Sequence, residues 1–204
     1  TVAMVRSWDN LTAKGILRFV PDVLAVHNGI ISREAQTLHG IPAAQIRVIG
    51  IPHYDRYMRP AATPWNEFCR RIGGDPSKKL LLYVPTGDRY LSPNTLDREI
   101  VETLDARLAA GYQILVRFPP ADTVAGLGGI RSRNRIIFDA PSSTVKFGAL
   151  TRDDDQRLID TLFWSRVVIT GPSTMCVDAA VFDKPILLIN FDGGRRPDFY
   201  QSIR

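Results

Sequence analysis

The chain has 204 residues, of which 45% are hydrophobic and 23% charged, and its formal net charge is +5. This composition is that of a folded globular protein and argues against a disordered chain. No segment is apolar over the roughly 18 residues of a membrane span, and the N-terminus lacks the regions of a secretory signal, so we expect a cytoplasmic protein. The two cysteines, Cys69 and Cys176, show neither metal-ligand spacing nor a disulfide framework, so we expect reduced thiols and no metal site.

The basic residues are spread along the chain, and their densest run is RSRNR at 131–135. Signatures of helix-turn-helix, zinc-finger, RRM and KH proteins are absent, so we expect no nucleic-acid partner. Phosphorylated ligands, an anionic membrane surface and plain solvated surface charge all fit this distribution.

Apolar runs typical of strands alternate with amphipathic helical patterns along the whole chain. This alternation predicts an α/β fold with parallel sheets covered by helices. In the first part, VLAVHN at 23–28 is a predicted buried strand. A helix follows over 30–39 and ends at Gly40, and QIRVIGIP at 45–52 is the next strand. Because the chain starts without Met and without a cap before its first apolar run, we expect a piece of a longer protein.

The segment 58–79 differs in character from what precedes it. It contains three prolines, a pair of adjacent glycines and one predicted short helix over 65–72. We therefore predict a first domain over 1–58, a linker over 59–78 and a second domain over 79–204.

The second domain begins with LLLYVP at 80–85, whose continuous apolar run predicts a strand buried on both faces. Ser92 and Pro93 form the predicted N-cap and first residue of a helix that closes at Gly111. Its apolar positions recur every fourth residue: Leu96, Ile100, Leu104 and Leu108.

Two further predicted strands are YQILVRFPP at 112–120 and RIIFDA at 135–140. Thr151 and Asp154 have the spacing of a capping box, and the three aspartates at 153–155 suit the positive end of a helix dipole. The buried face of this predicted helix consists of Leu158, Ile159, Leu162 and Phe163.

The segment VVITGPSTMCVDAAVFDKPILLIN at 167–190 places two predicted buried strands on either side of a short helix. Ligands of parallel sheets collect at the carboxyl ends of strands, where helix N-termini present unpaired N–H groups. Gly171 permits close approach of the backbone, and Ser173 and Thr174 lie at the helix start, where they suit a phosphate or an ordinary helix cap. Asp178 lies one turn further along the same face and suits a sugar or ribose hydroxyl.

These motifs resemble a known superfamily. GPST at 171–174, Asp178 and DKPILLIN at 183–190 resemble the donor-domain segment of GT-B glycosyltransferases. The resemblance extends to their relatives, the UDP-N-acetylglucosamine 2-epimerases and the CDP-glycerol glycerophosphotransferase-like proteins. SWDNLTAKG, HGIPAAQIRVIGIPHYD, LLLYVPTGD and LVRFPP follow one another in the order of such proteins, so the resemblance spans nearly the whole chain.

The resemblance implies a GT-B-like fold of two Rossmann-like parallel-sheet units, the first truncated. Residues 1–58 would be the last part of the acceptor domain, and 79–204 the nucleotide-sugar donor domain without its last helix. Thr86 and Gly87 would border the donor phosphates. Ser173 and Thr174 would bind the diphosphate, and Asp178 would meet a hydroxyl. No metal or cofactor is implied, because the nucleotide sugar is a substrate.

Two departures from the superfamily pattern concern catalysis. Many relatives have Arg-x-His-Pro where this chain has Arg117, Phe118, Pro119 and Pro120, so the histidine is missing. Many also have Glu where this chain has Asp178. Arg117 itself suits either a donor phosphate or a salt bridge to a loop carboxylate.

The resemblance predicts a glycosyltransferase of cell-surface polysaccharide or lipopolysaccharide biosynthesis. It would transfer a sugar from a nucleotide-diphosphate or CMP sugar to a glycan or lipid-linked acceptor, in peripheral contact with a membrane. A 2-epimerase-like enzyme and a non-catalytic nucleotide-binding module are the alternatives. The sequence assigns no catalytic base, nucleobase, sugar or acceptor.

Overall fold

The computed structural model describes residues 1–12, 15, 17–58, 62–88, 93–119, 124–130, 136–139 and 151–190. The chain divides into two compact units, Thr1–Arg59 and Pro60–Arg204. The division falls at the start of the segment that the sequence predicted as a linker.

The first unit contains a parallel sheet in the order β1-β2-β3. Its strands are β1 (Val2–Met4), β2 (Val23–Val26) and β3 (Ile46–Val48), and helix α1 (Gly29–His39) connects β2 to β3. The side chain of Asn28 caps α1 by accepting the N–H groups of the first turn, and Gly40 ends it in the left-handed region at φ 65°. The helix predicted over 30–39 with its glycine stop is thus confirmed.

The second unit is built on a five-stranded parallel sheet in the order β6-β5-β4-β7-β8. Its strands are β4 (Lys79–Val84), β5 (Tyr112–Arg117), β6 (Ile136–Asp139), β7 (Ser165–Thr170) and β8 (Ile186–Leu188). From β4 the chain first adds β5 and β6 on one side of the sheet and then adds β7 and β8 on the other side. This is the doubly wound arrangement of Rossmann-like units. The predicted α/β architecture with parallel sheets is confirmed.

Helices lie against both faces of this sheet because its central strand is apolar on both. They are α2 (Trp65–Ile72), α3 (Leu96–Arg107), α4 (Arg152–Trp164) and α5 (Thr174–Val181). On one face Tyr83 packs with Val101 of α3, and on the other Leu82 packs with Leu162 of α4 and Ala179 of α5. All five of these side chains are at most 1% exposed. The buried strand predicted over 80–85 is confirmed.

The segment that was predicted as a linker packs into the second unit from Thr63 onward. Phe68 of α2 is 1% exposed and contacts Leu80 and Leu115. The backbone of Thr63 is held twice by α4, since its N–H donates to Asp160 at 2.8 Å and its carbonyl accepts from Trp164 Nε1 at 2.9 Å. The prolines and glycines suggested a linker, but the apolar face of α2 makes this segment part of a core.

Helix α3 is shorter than predicted at both ends. It begins at Leu96 and ends at Arg107, with Leu108 in an extended conformation. The predicted cap Ser92 lies outside the described residues. Asn94 takes part of the capping role, because its side-chain oxygen accepts the N–H of Asp97 at 3.2 Å.

Two predicted burial patterns near the end of the chain are wrong. Phe163 is 39% exposed, and its ring lies beneath the ammonium group of Lys184. Strand β8 was predicted to be buried, but its three residues are 37–56% exposed. The reason is that β8 is an edge strand of the sheet that the described residues form, where it pairs with β7 on one side.

The capping box of α4 is confirmed and permits a stability prediction. The Thr151 hydroxyl accepts the N–H of Asp154 at 3.1 Å, and the Asp154 carboxylate accepts the N–H of Thr151 at 3.1 Å. We expect Thr151→Ala to lower the free energy of unfolding by about 1 kcal/mol, because one helical N–H loses its acceptor. Urea unfolding measures this loss. Thr103→Ala, in the exposed middle of α3, is the control and should not destabilise the protein; equal stability of the two variants would contradict the capping role.

Candidate functional site

The topology of the second unit marks one place for a ligand. Strands β5 and β6 lie on one side of β4, and β7 and β8 lie on the other, so the winding direction reverses between β4 and β7. In open parallel sheets, ligands bind outside the carboxyl ends of the strands at this point of reversal. The loop 85–88 follows β4 and the turn 171–173 follows β7. Both segments that the sequence predicted for the donor phosphates therefore lie at the reversal point.

The two segments contact each other through Thr86 and Gly171. A Cβ atom placed on Gly171 would lie 3.5 Å from Thr86 Oγ1 and 3.8 Å from the carbonyl oxygen of Ile189. The Thr86 hydroxyl thus lies close to the backbone of Gly171, with room for a Cβ atom in ordinary van der Waals contact. The structure brings these two predicted site residues together.

Further hydroxyl groups surround the start of α5. The Ser173 hydroxyl accepts the N–H of Met175 at 3.3 Å and lies 3.3 Å from Thr170 Oγ1. Thr174 is the first residue of the helix and is exposed. The partial positive charge of a helix N-terminus favours an anion beside these groups. We call Thr86, Thr170, Gly171, Ser173 and Thr174 the switch-point cluster.

The loop after β4 is held from below by a buried carboxylate that sequence reasoning missed. Asp97 of α3 is 0% exposed, and its oxygens accept the N–H groups of Thr86 and Gly87, each at 3.1 Å. Gly87 has φ 87°, which is in the left-handed region that favours glycine. The two amides of the loop therefore point at Asp97, and the side chain of Thr86 is the group that lies against Gly171.

Two more donors satisfy the same carboxylate. The hydroxyl of Tyr83 donates to it at 2.5 Å, and the side-chain amide of Asn94 donates at 2.6 Å. Burial, together with the charge of Asp97, raises the pKa of Tyr83 far above its usual range, so Tyr83 remains a donor. The spacing of Asn94 and Asp97, three residues apart before an apolar helix, resembles a capping box and was the sequence signal for this network.

Arg117 forms the ion pair that was one of its two predicted alternatives. It is 8% exposed, and its guanidinium donates to Asp139 at 2.5 Å and to the carbonyl of Asp154 at 3.3 Å. Arg157 pairs with the same Asp139 carboxylate, and burial, followed by the like charge of Arg117, lowers the pKa of Arg157. Arg117 and Asp139 are opposite each other in the β5–β6 register, which explains the pairing. Its charge thus pairs with β6 and its guanidinium bonds to α4, and its place in the donor site stays a prediction.

Asp178 lies one turn into α5 and is 8% exposed. It is therefore on the helix that Ser173 caps and Thr174 begins, and like Ala179 it is buried. Its contact with a sugar or ribose hydroxyl stays a prediction.

Among the described residues, no three His, Cys, Asp or Glu side chains form a group that could hold a metal ion. None of the helices in the same part of the chain combines the length and the apolar character needed to pass through a bilayer.

The parallel sheets and the helices that cover them define a Rossmann-like α/β protein. Over residues 18–202 the sequence matches the family described as CDP-Glycerol:Poly(glycerophosphate) glycerophosphotransferase. The chain belongs to this family. The resemblance stated from the sequence motifs is thereby confirmed.

Solved structures show the same fold. The chain is similar to the wall teichoic acid polymerase TagF, with a TM-score of 0.55 and 19% identity over 84% of this chain and 40% of that one. It is also similar to a TagF variant soaked for 15 minutes with CDPG, with a TM-score of 0.55 and 19% identity over 84% and 38% of the two chains. The chain thus spans about two fifths of the length of these proteins. A comparison with curated protein sequences finds no match.

Proposed function

We propose that this chain binds the activated donor of a cell-surface polymer transferase, and that the donor is CDP-glycerol or a related nucleotide-activated alcohol or sugar. The observation that carries the proposal is the contact between Thr86 and Gly171 at the reversal point of the sheet, in a chain of the glycerophosphotransferase family. The sequence motifs alone favoured a sugar as the transferred group. The family description favours glycerophosphate.

In this proposal the diphosphate of the donor lies on the switch-point cluster. The hydroxyls of Thr86, Ser173 and Thr174 donate to phosphate oxygens, and the N-terminus of α5 faces the same charge. Asp178 accepts a hydrogen bond from a ribose hydroxyl. These groups are fixed before the donor arrives, so binding requires little reordering of the protein.

The reaction that follows is transfer of glycerophosphate to an acceptor hydroxyl. A bond forms between the acceptor oxygen and the phosphorus next to glycerol, the bond from that phosphorus to the bridging oxygen breaks, and CMP leaves. The helix N-terminus and the hydroxyls stabilise the negative charge that grows on the departing phosphate. The proton of the acceptor hydroxyl needs a base, for which we assign no residue.

We further propose partners and a location for this activity. Residues 1–58 would be the last part of the acceptor domain, and 79–204 would form the donor domain. The acceptor would be a glycan or a lipid-linked polymer, and the protein would act in the cytoplasm in peripheral contact with a membrane. No metal or cofactor is required in this scheme, because the nucleotide-activated donor is itself the substrate.

One observation favours a second candidate, a nucleotide-binding module without catalysis. Pro119 occupies the position of the histidine in the superfamily motif. It directly follows Phe118, whose ring stacks on Phe138 with centroids 5.9 Å apart and whose N–H donates to the carbonyl of Asp139 at 2.9 Å. A proline side chain cannot transfer a proton. The epimerase alternative has no comparable support, since the family is one of transferases.

A transferase assay separates these candidates. The full chain is incubated with CDP-glycerol labelled in its glycerol and with a lipid-linked glycerophosphate primer, and CMP release is measured beside primer elongation. We expect both products in equal amounts if the chain is a transferase. Binding of CDP-glycerol with neither product supports the module, and if no phosphorylated nucleotide binds at all, the proposed function is wrong.

A further inference from the structure

We propose that Asp97 is the positioning residue of the donor site: its buried carboxylate fixes the loop 85–88 so that the Thr86 hydroxyl faces Gly171 and a bound phosphate. This inference rests on the proposed function, since it assigns a role in the binding of the same donor. Asp97 does not contact the donor. It acts through the two loop residues whose N–H groups donate to it, Thr86 and Gly87.

The number and direction of the bonds to Asp97 support this role. Oδ1 accepts from the Tyr83 hydroxyl and the Thr86 N–H, and Oδ2 accepts from the Gly87 N–H and the Asn94 side chain. A charge that is 0% exposed is costly unless it is paired or fully hydrogen-bonded. Two of the four donors are backbone N–H groups of the loop that follows β4. Neither of these two bonds is needed to cap α3.

The loop itself needs an external support. Gly87 adopts φ 87°, a region that glycine reaches about as readily as negative φ, so glycine by itself does not hold the loop in one conformation. The loop is also held at Asp88, which accepts the N–H of Ala125 at 2.8 Å. Asp97 and Ala125 therefore hold the loop backbone where the Thr86 hydroxyl lies against Gly171.

A fixed loop has a consequence for affinity. A flexible loop would lose conformational entropy when it closed on a phosphate, and this loss would weaken binding. With the loop already ordered by a charge-assisted pair of hydrogen bonds, the donor meets the hydroxyl in its bound position. Removing the carboxylate charge should therefore weaken donor binding even though no contact with the donor is removed.

The test compares Asp97→Asn with Tyr83→Phe. Asparagine keeps the size of the side chain but turns an NH₂ group toward one of the two loop amides, which opposes donor to donor. Phenylalanine removes the hydroxyl bond to the same carboxylate and leaves both loop amides paired. We expect Asp97→Asn to raise the Kd for CDP-glycerol at least about tenfold, and Tyr83→Phe to leave it within about twofold while lowering the melting temperature. Calorimetry is done at a temperature at which circular dichroism shows every variant folded.

Each outcome decides a separate point. If the wild type binds and Asp97→Asn binds equally well, the positioning role is refuted while the proposed function stands. If both variants weaken binding in proportion to their loss of stability, Asp97 is merely structural and the inference fails. A wild type that binds no nucleotide overturns the proposed function and this inference with it.

A measurement on the wild type covers the case in which Asp97→Asn does not fold. The amide protons of Thr86 and Gly87 should exchange slowly with solvent without any ligand, because both are bonded to a buried carboxylate. Exchange at the rate of an unprotected backbone amide of the same sequence would show that the loop is not held, and would overturn the inference.

Discussion

Asp139→Asn is expected to lower the free energy of unfolding by about 3–5 kcal/mol, because it breaks a buried ion pair by removing one of its partners. The Asp139 side chain is 2% exposed and pairs with Arg117 and Arg157. Removing its charge breaks the ion pair of Arg117, whose side chain is 9% exposed and lies beside a second cation, Arg157. Urea unfolding at neutral pH, followed by tryptophan fluorescence, measures the loss.

The control for Asp139→Asn is Glu102→Gln, which removes the carboxylate of an exposed pair with Arg98. Exposed ion pairs contribute little to the free energy of unfolding, so Glu102→Gln should lower it several times less than Asp139→Asn does. If instead Asp139→Asn is as stable as the wild type but binds nucleotides more weakly, Arg117 belongs to the donor site after all. The account of its ion pair would then be wrong.

Gly171→Val is expected to raise the Kd for CDP-glycerol between ten- and a hundredfold, which corresponds to about 1.4–2.8 kcal/mol of binding free energy. A Cβ at this position lies 3.5 Å from Thr86 Oγ1, which is an ordinary contact. The two methyl groups of valine extend beyond it and fill the space between the Thr86 hydroxyl and the turn. The effect is steric and confined to the site, so calorimetry should show weaker binding with a melting temperature near that of the wild type.

Gly171→Ala provides the matched comparison, because its Cβ fits without displacing a neighbour. We expect alanine to weaken binding less than valine and to leave the fold intact. Equal affinity of wild type, alanine and valine variants would place the donor elsewhere.

The alternation of strands and helices could be predicted from the sequence because each signal is local. The Asn28 cap and the Gly40 stop define α1, and Thr151 with Asp154 defines the start of α4. The continuous apolar run at 80–85 predicted a central strand. Gly171 could be assigned to a site because it follows the carboxyl end of a parallel strand, whereas Thr86 was assigned to that site through the resemblance to the GT-B superfamily.

The remaining features depend on contacts between segments that are distant in sequence. The partner of Arg117 is 22 residues away, in another strand, and no local pattern distinguishes that carboxylate from the others. The bond between Asp97 and Thr86 joins a helix to a loop through buried groups. The exposure of β8 follows from its place at the end of the described sheet, which its apolar sequence does not reveal.

The central claim is that the loop after β4 and the turn after β7 form one site for a nucleotide diphosphate. Its most direct test is titration of CDP-glycerol into ¹⁵N-labelled protein, with two-dimensional NMR spectra recorded at each step. We predict that the largest shift changes fall on the amides of Thr86, Gly87, Gly171, Ser173 and Thr174, and that they saturate with a single Kd. Shift changes confined to other residues, or none at millimolar ligand, would contradict the account.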